Sequence, residues 1–276
     1  MVTAQQVPAF VINLDRRPDR LAHMTGVLGD AGISFNRVSA LDAQVATDLE
    51  IGLEVDLRRP RIGMGRGSQC CAITNFNIYR DLVGSDHDAA LILQDDIVVV
   101  PELRDFLTDL TWLPQGVGVV QFEKFGRPRS TRLAGPRQDC GRAGRGVYRM
   151  YSRTAGAGCY LITRWAAQHI LRTKPLLDMP IDHFLFSPNV SPVFADLGVS
   201  FVAPAMAVQK MEEIPSDLAK DRRERTAKKT AGQKLRRLGQ ELNRLPSQIW
   251  HMARGARMVE FSLPPELMSE VRHGRD

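Results

Sequence analysis

Cysteine is scarce in this chain: Cys70, Cys71, Cys140 and Cys159 are four thiols in 276 residues. Their irregular spacing excludes a disulfide framework or a zinc-binding pattern, and the simple expectation is a cytoplasmic protein with reduced thiols. Long apolar runs are missing too, since no stretch approaches the roughly 20 residues that a membrane-spanning helix requires. Met1 to Pro8 has neither a basic start nor an apolar core, so no secretory leader is expected. Internal repeats and low-complexity tracts are absent, which excludes a repeat array. An even spread of charge is also lacking. From Lys220 to Arg257, 12 Lys or Arg stand against 3 Asp or Glu, a local net of +9 in a chain of +6. The remainder carries −3, so the basicity belongs to a C-terminal segment and says nothing of the core fold.

With 43% hydrophobic residues the chain can build one α/β domain with appendages. Phe10 to Leu14 reads as a strand, Pro18 to Leu28 as a helix closed by Gly32, and Ile33 to Val38 as a second strand. This β-α-β opening suggests a Rossmann-like parallel sheet. Residues 43–66 show no period and read as a loop. Ser68 is placed to cap a helix from Gln69 to Val83. Pro101 to Leu113 reads as a further helix and Val117 to Phe122 as a strand. Gly126 to Gly146, rich in Gly, Arg and Pro, reads as a long surface loop of the kind that holds substrate. Strand and helix return at Gly158 to Ile162 and Trp165 to Leu171, and Val199 to Val202 is expected to be the last strand.

Two adjacent acids, Asp95 and Asp96, follow the apolar run Ala89 to Leu93 and precede Ile97 to Val100. A continuous β-branched and aliphatic run reads as a buried strand covered on both faces. Carboxylates there are tolerated when they are paired or hold a cation. A pair at a strand end can seat Mg²⁺ or Mn²⁺ shared with substrate phosphates. It can equally cap the next turn, with Pro101 starting a helix behind it.

Six motifs in one order then carry a resemblance. Val11-Ile12-Asn13-Leu14-Asp15-Arg16 with Arg20, and Ala40-Leu41-Asp42-Ala43, resemble the opening of glycosyltransferase family 25, the lipopolysaccharide and collagen galactosyltransferase group. Gln69 to Asn75 falls where that family has a Gly-Cys-Ala-hydrophobic-Ser-His helix, and Leu91 to Asp96 matches its Leu-Ile-Leu-Glu-Asp-Asp strand. Tyr160 to Arg164 resembles its Tyr-Leu-Ile-Ser-Arg, and Pro180 to His183 its Pro-Val-Asp-His. The resemblance spans roughly residues 8–218. It implies a GT-A type fold with a Rossmann-like mixed sheet over 1–218, a UDP-sugar donor (commonly UDP-galactose), inversion at the sugar carbon, and Mn²⁺ or Mg²⁺. The chain departs from the pattern at Gln94 for Glu, Thr74-Asn75 for Ser-His, and Gly158-Cys159 for His-Ala. A Gln keeps an acceptor oxygen but loses charge, so a catalytically weakened or inactive member that binds nucleotide-sugar or glycan is the alternative.

The resemblance assigns Asp182 as the base that deprotonates the acceptor hydroxyl; the bland alternative is a helix cap. Asp95 and Asp96 are assigned to the metal, with His183 as a further ligand or a diphosphate contact, or else a structural His. Asn13, Asp15, Arg16, Arg20, Asp42, Gln94 and Asp95 form the candidate donor site. Either Arg16 or Arg20 suits phosphate in a two-pronged way, while Asp42 faces the uridine or forms a turn. Gln121 and Glu123, ending a strand beside the acids, are candidates for the acceptor sugar.

In the segment 219–276, read as a basic helical extension, Leu235, Leu238, Leu242, Leu245 and Ile249 recur at helical spacing among Lys and Arg, and Pro246 divides the pattern. With Trp250 nearby, residues 220–257 suit an anionic membrane surface, where a lipid-linked glycan acceptor resides. Packing on the domain or on a second subunit is the other reading. Nucleic acid is not expected, because the interleaved aromatics of a single-strand platform are lacking. The expectation is thus an inverting hexosyltransferase, cytoplasmic and peripheral at the membrane, that builds lipopolysaccharide or a similar surface glycan.

Overall fold

The computed structural model describes residues 6–142, 144–173, 176–210 and 245–271. The chain opens with β1 (Ala9–Asn13), α1 (Pro18–Asp30) and β2 (Phe35–Ser39). Pro18 supplies the fixed φ of a helix start, and α1 buries Arg20, Met24 and Leu28 at i, i+4, i+8 spacing. Gly32 takes φ 63°, a left-handed turn that returns the chain to the sheet. Next come α2 (Asp48–Glu54), α3 (Arg66–Val83), β3 (Ala89–Gln94), β4 (Ile97–Val99) and β5 (Val119–Gln121). They are followed by β6 (Arg129–Ala134), β7 (Gln138–Asp139), β8 (Gly146–Arg149), β9 (Cys159–Thr163) and α4 (Arg164–Thr173). Then come α5 (Ile181–Phe186), β10 (Ser200–Ala203), β11 (Ala207–Gln209), α6 (Leu245–Ala253) and β12 (Arg257–Ser262), with short 3-10 helices at Pro265–Leu267 and Ser269–Val271.

Eight strands form one mixed sheet in the order β2-β1-β3-β9-β5-β10-β8-β7. The first three are parallel, as the β-α-β opening predicts, and β9 runs antiparallel between β3 and β5. Ala89 to Leu93 of β3 is buried throughout, because strands flank it on both edges and helices cover it. Leu91, Ile92 and Leu93 each contribute about 1.5–3 kcal/mol of burial. The expected α/β class with a mixed sheet and flanking helices is what the chain adopts.

Five local expectations are corrected. Residues 43–66 contain α2, nucleated by a capping box in which Thr47 and Glu50 bond each other's backbone. Only Ile51 of α2 is buried, so the segment carries no apolar period to read. Gly65, not Ser68, caps α3, and a short 3-10 helix, Pro101–Leu107, replaces the longer helix. Gly126 to Gly146 is not one loop: β6 pairs antiparallel with β12, from more than a hundred residues away. Val199 to Val202 is not the last strand either, since β11 and β12 follow.

The boundary expected at 218/219 lies outside the described residues, as do Leu235, Leu238 and Leu242. Of the expected extension, Pro246 sits in the first turn of α6, and Phe261, Leu263 and Leu267 join the hydrophobic core. Among the described residues no helix is long and apolar enough to cross a membrane.

Candidate active site

The register of the parallel strands builds the site. Ile12 pairs with Gln94 and Asn13 with Ser39, so the carboxyl ends of β1, β2 and β3 converge where open α/β sheets place ligands. Asp95 and Asp96 form the turn between β3 and β4, both under 10% exposed. Asp95 is clamped: Arg20 Nη1 donates to its Oδ1 at 2.8 Å and Asn13 Nδ2 to its Oδ2 at 2.8 Å. Asn13 Oδ1 in turn accepts from Arg37 Nε at 3.0 Å. This is a buried, hydrogen-bonded ion pair, the condition under which a carboxylate is stable there.

Around this core lies an exposed polar ring. Asp15 accepts from Arg37 Nη2 and, at 2.9 Å, from Ser39 Oγ, and these bonds hold its carboxyl below the usual range. Arg16 Nε reaches Asp42 Oδ2 at 2.7 Å, while Asp42 Oδ1 accepts from the Gln44 amide at 2.9 Å. Asp42 therefore forms a turn and an ion pair together. Arg37 and Ser39 were not singled out from the sequence; their alternation on β2 is the signal that placed them.

Asp182 lies in the first turn of α5, whose cap position is Pro180, so it does not cap the helix. Its neighbourhood is reported by Cys71 on α3. Burial pushes that thiol up to about 12, and the negative charges of Asp182, Asp96 and Asp95 add to the shift. Elements far apart in sequence thus set the base candidate and the acid turn within electrostatic reach of one side chain. His183 Nε2 lies 3.0 Å from Arg153 Nη2. Gln121 and Glu123 are fully buried and serve a loop. Gln121 Nε2 donates to Ala155 O and Gly156 O, at 3.0 and 2.8 Å, and Glu123 Oε2 accepts from Gly158 N at 2.5 Å. The structure does not bring these two to the site's surface.

Two of the residues that depart from the expected pattern, Gln94 and Asn75, meet in one polar network at Cys71. Gln94 Oε1 accepts from Gln209 at 3.0 Å, and its Nε2 lies 3.8 Å from Cys71 Sγ. Asn75 Nδ2 is at 3.8 Å from the same sulfur, and Asn75 Oδ1 accepts from Tyr160 OH at 2.6 Å. Tyr79 OH lies 2.7 Å behind Tyr160 OH. A neutral chain of amides, thiol and phenols therefore underlies the acids. Gly158 is tightly enclosed, since a Cβ there would stand 2.6 Å from Ile97 Cδ1.

The donor set fits a divalent ion only in part. Both oxygens of Asp95 are engaged, and among the described residues no group of three or more His, Cys, Asp or Glu is arranged to hold a metal. Asp96 is the other carboxylate of the turn, and a single carboxylate suits an ion that takes its other ligands from diphosphate and water, as Mg²⁺ and Mn²⁺ commonly do.

Comparison with known proteins adds the context. The sequence profile described as glycosyltransferase family 25 (LPS biosynthesis protein) matches residues 6–185. A "Glycosyltransferase 25 family member" of Drosophila melanogaster is 31% identical over 188 residues, 64% of this chain and 29% of that protein. "Procollagen galactosyltransferase 1" of Danio rerio is 29% identical over 189 residues, 64% of this chain and 30% of that one. The chain spans about three tenths of the length of these curated relatives. A glycosyltransferase involved in glycosylation of the PBCV-1 major capsid aligns at TM-score 0.37 and 10% identity, over 80% of this chain and 98% of that one. Mannose-1-phosphate geranyltransferase from Thermus thermophilus aligns at TM-score 0.40 and 13% identity, over 72% of this chain and 74% of that one.

Proposed function

The chain belongs to glycosyltransferase family 25, and from that membership we propose that it is an inverting hexosyltransferase of GT-A type using a UDP-sugar donor. The name of the Danio rerio relative supports galactose as the sugar, and the family's description supports a lipopolysaccharide or similar surface glycan as acceptor. The observation that supports the reading is the buried clamp of Arg20 and Asn13 on Asp95 at the carboxyl ends of β1 and β3, which fixes the turn carrying Asp96.

In this mechanism Asp182 accepts the proton of the acceptor hydroxyl as its oxygen attacks the anomeric carbon. The bond from that carbon to the diphosphate oxygen breaks on the opposite face, and its electron pair leaves with UDP. Asp15, Arg16 and Asp42 flank the nucleotide. Asp95 acts through Arg20 and Asn13 to hold the turn that presents Asp96. Mn²⁺ or Mg²⁺, held by Asp96, would neutralise charge on the departing diphosphate.

The acceptor is proposed to be lipid-linked and met at the cytoplasmic face of an anionic membrane. In support, Leu245, Ile249, Trp250 and Met252 of α6 are all about half exposed or more, and no residue of α6 is buried. Arg254 lies over the Trp250 ring at 4.4 Å, and the basic stretch precedes the helix.

UDP release from UDP-galactose, measured with Mn²⁺ and with EDTA, tests the reading. Asp182→Asn should lower kcat by about 10²–10⁴ while keeping donor affinity. Asp96→Ala should lose metal-dependent donor binding with the fold retained. A wild-type protein that binds UDP-galactose but releases no UDP in either condition would support the binding-only alternative, which the uncharged Gln94–Gln209 contact favours.

A further inference from the structure

Next to α5 two arginines come together. The bridge Ala134↔Met150 and the bond from Tyr151 N to Leu133 O (3.0 Å) lay β6 along residues 150–152. The Leu133 amide also donates to Ser152 Oγ at 3.0 Å. Arg132 and Arg153, each one step further along, are thereby brought to the same place. Arg153 reaches His183, the residue after Asp182, at 3.0 Å. Lys124, a fully buried side chain, stands on the other side, its Nζ donating to Phe125 O and Arg127 O at 3.1 and 2.6 Å.

Arg132 is half-buried, and its Nε is buried without a hydrogen bond. Its Nη1 donates to its neighbour's carbonyl, Thr131 O, at 3.2 Å. Among the described residues it forms no salt bridge. Burial and then the positive charge of Arg153 hold its guanidinium below the ordinary range; Lys124 is lowered by burial first and then by Arg132, with the charge of Glu123 opposing the shift. A guanidinium whose Nε is buried without a hydrogen bond is stabilised by an anion that supplies the missing acceptor. Guanidinium forks match phosphate oxygens in geometry as well as charge.

We propose that Arg132 and Arg153 form an anion site that takes a phosphate or diphosphate group beside Asp182. This deepens the glycosyltransferase reading and rests on it for the identity of the ligand. Two sources share the chemistry: the diphosphate of the donor, and a phosphate carried by the acceptor or its lipid link.

Isothermal titration of the full chain with inorganic pyrophosphate, UDP and uridine separates them. Pyrophosphate should bind the wild type, and Arg132→Gln and Arg153→Gln should each weaken it about tenfold or more. With the donor as source, UDP affinity falls in parallel while uridine affinity is unchanged. With the acceptor as source, UDP affinity holds, and binding of a micellar lipid carrying a diphosphate-linked sugar falls. Arg132→Gln should also keep or raise Tm, which a merely structural arginine would not; Arg153→Gln decides the matter if that variant does not fold. Pyrophosphate affinity unchanged in the folded variants, or no pyrophosphate binding by the wild type, overturns the proposal. Wild type that binds pyrophosphate but neither UDP nor UDP-sugar keeps the anion site and refutes the donor instead.

Discussion

Removing the carboxylate of Asp95 distinguishes a clamp from a ligand. Its partner Arg20 meets it at 2.8 Å, with side chains 8% and 6% exposed. Losing one member of so enclosed a pair costs about 3–5 kcal/mol, because the remaining charge stays out of water. Asp95→Ala also deprives Asn13 Nδ2 of its acceptor, adding roughly 1 kcal/mol. Arg20→Met alone should be of the same order as the ion-pair loss, since it leaves Asp95 with the neutral Asn13 alone of these two donors. The double variant Arg20→Met/Asp95→Ala should cost far less than the sum, because no unmatched charge is left inside. Equilibrium unfolding in urea gives all four free energies, and a coupling of about 2 kcal/mol or more is expected. Additive losses, or an Asp95→Ala variant within about 0.5 kcal/mol of wild type, would refute the clamp and return Asp95 to ligand duty.

Cys71 should react with iodoacetamide at pH 8 on the order of a thousandfold more slowly than an ordinary thiol, the rate still climbing at pH 10; a plateau near pH 9 would contradict its upward shift to about 12. Mn²⁺ should quicken that reaction, since a cation among the acids offsets the charges that oppose ionisation. Burial lowers Lys124 to about 8. Between that value and its unfolded pKa near 10.4, the unfolded chain binds more protons, so stability should rise with pH by at most about 1.4 kcal/mol per unit. Urea titrations across pH 8–10 should show this rise in wild type and lose it in Lys124→Met. Ile249→Glu/Trp250→Glu should weaken flotation on anionic vesicles about tenfold or more, and undiminished binding would remove α6 from the membrane reading.

The parallel β-α-β opening and the acid strand were legible because they are dense in local signals: Pro18, Gly32 and an unbroken aliphatic run. What escaped was non-local. β6 is polar because it is a peripheral strand, and its partner β12 lies beyond the basic stretch. α2 rests on a capping box rather than on an apolar face. At the site, Asn13, Asp95 and Arg20 were named as separate donor contacts, whereas their geometry makes them one unit. Gln121 and Glu123 were placed by strand order, which gives position but not which way a side chain faces. Arg132 and Arg153 had no motif, and only the pairing across residues 133–152 brings them together.

The way the chain leaves and rejoins the sheet has a consequence for handling the protein. The Lys210 amide is fastened to the Asp96 carbonyl at 2.8 Å, and after the basic stretch the His251 ring stacks on Tyr151 at 3.9 Å. The described chain is thus fastened at Lys210 beside the acid turn and at His251 two residues from Arg153. A truncation at 210 would therefore remove β12 and strip the brace from behind Arg132.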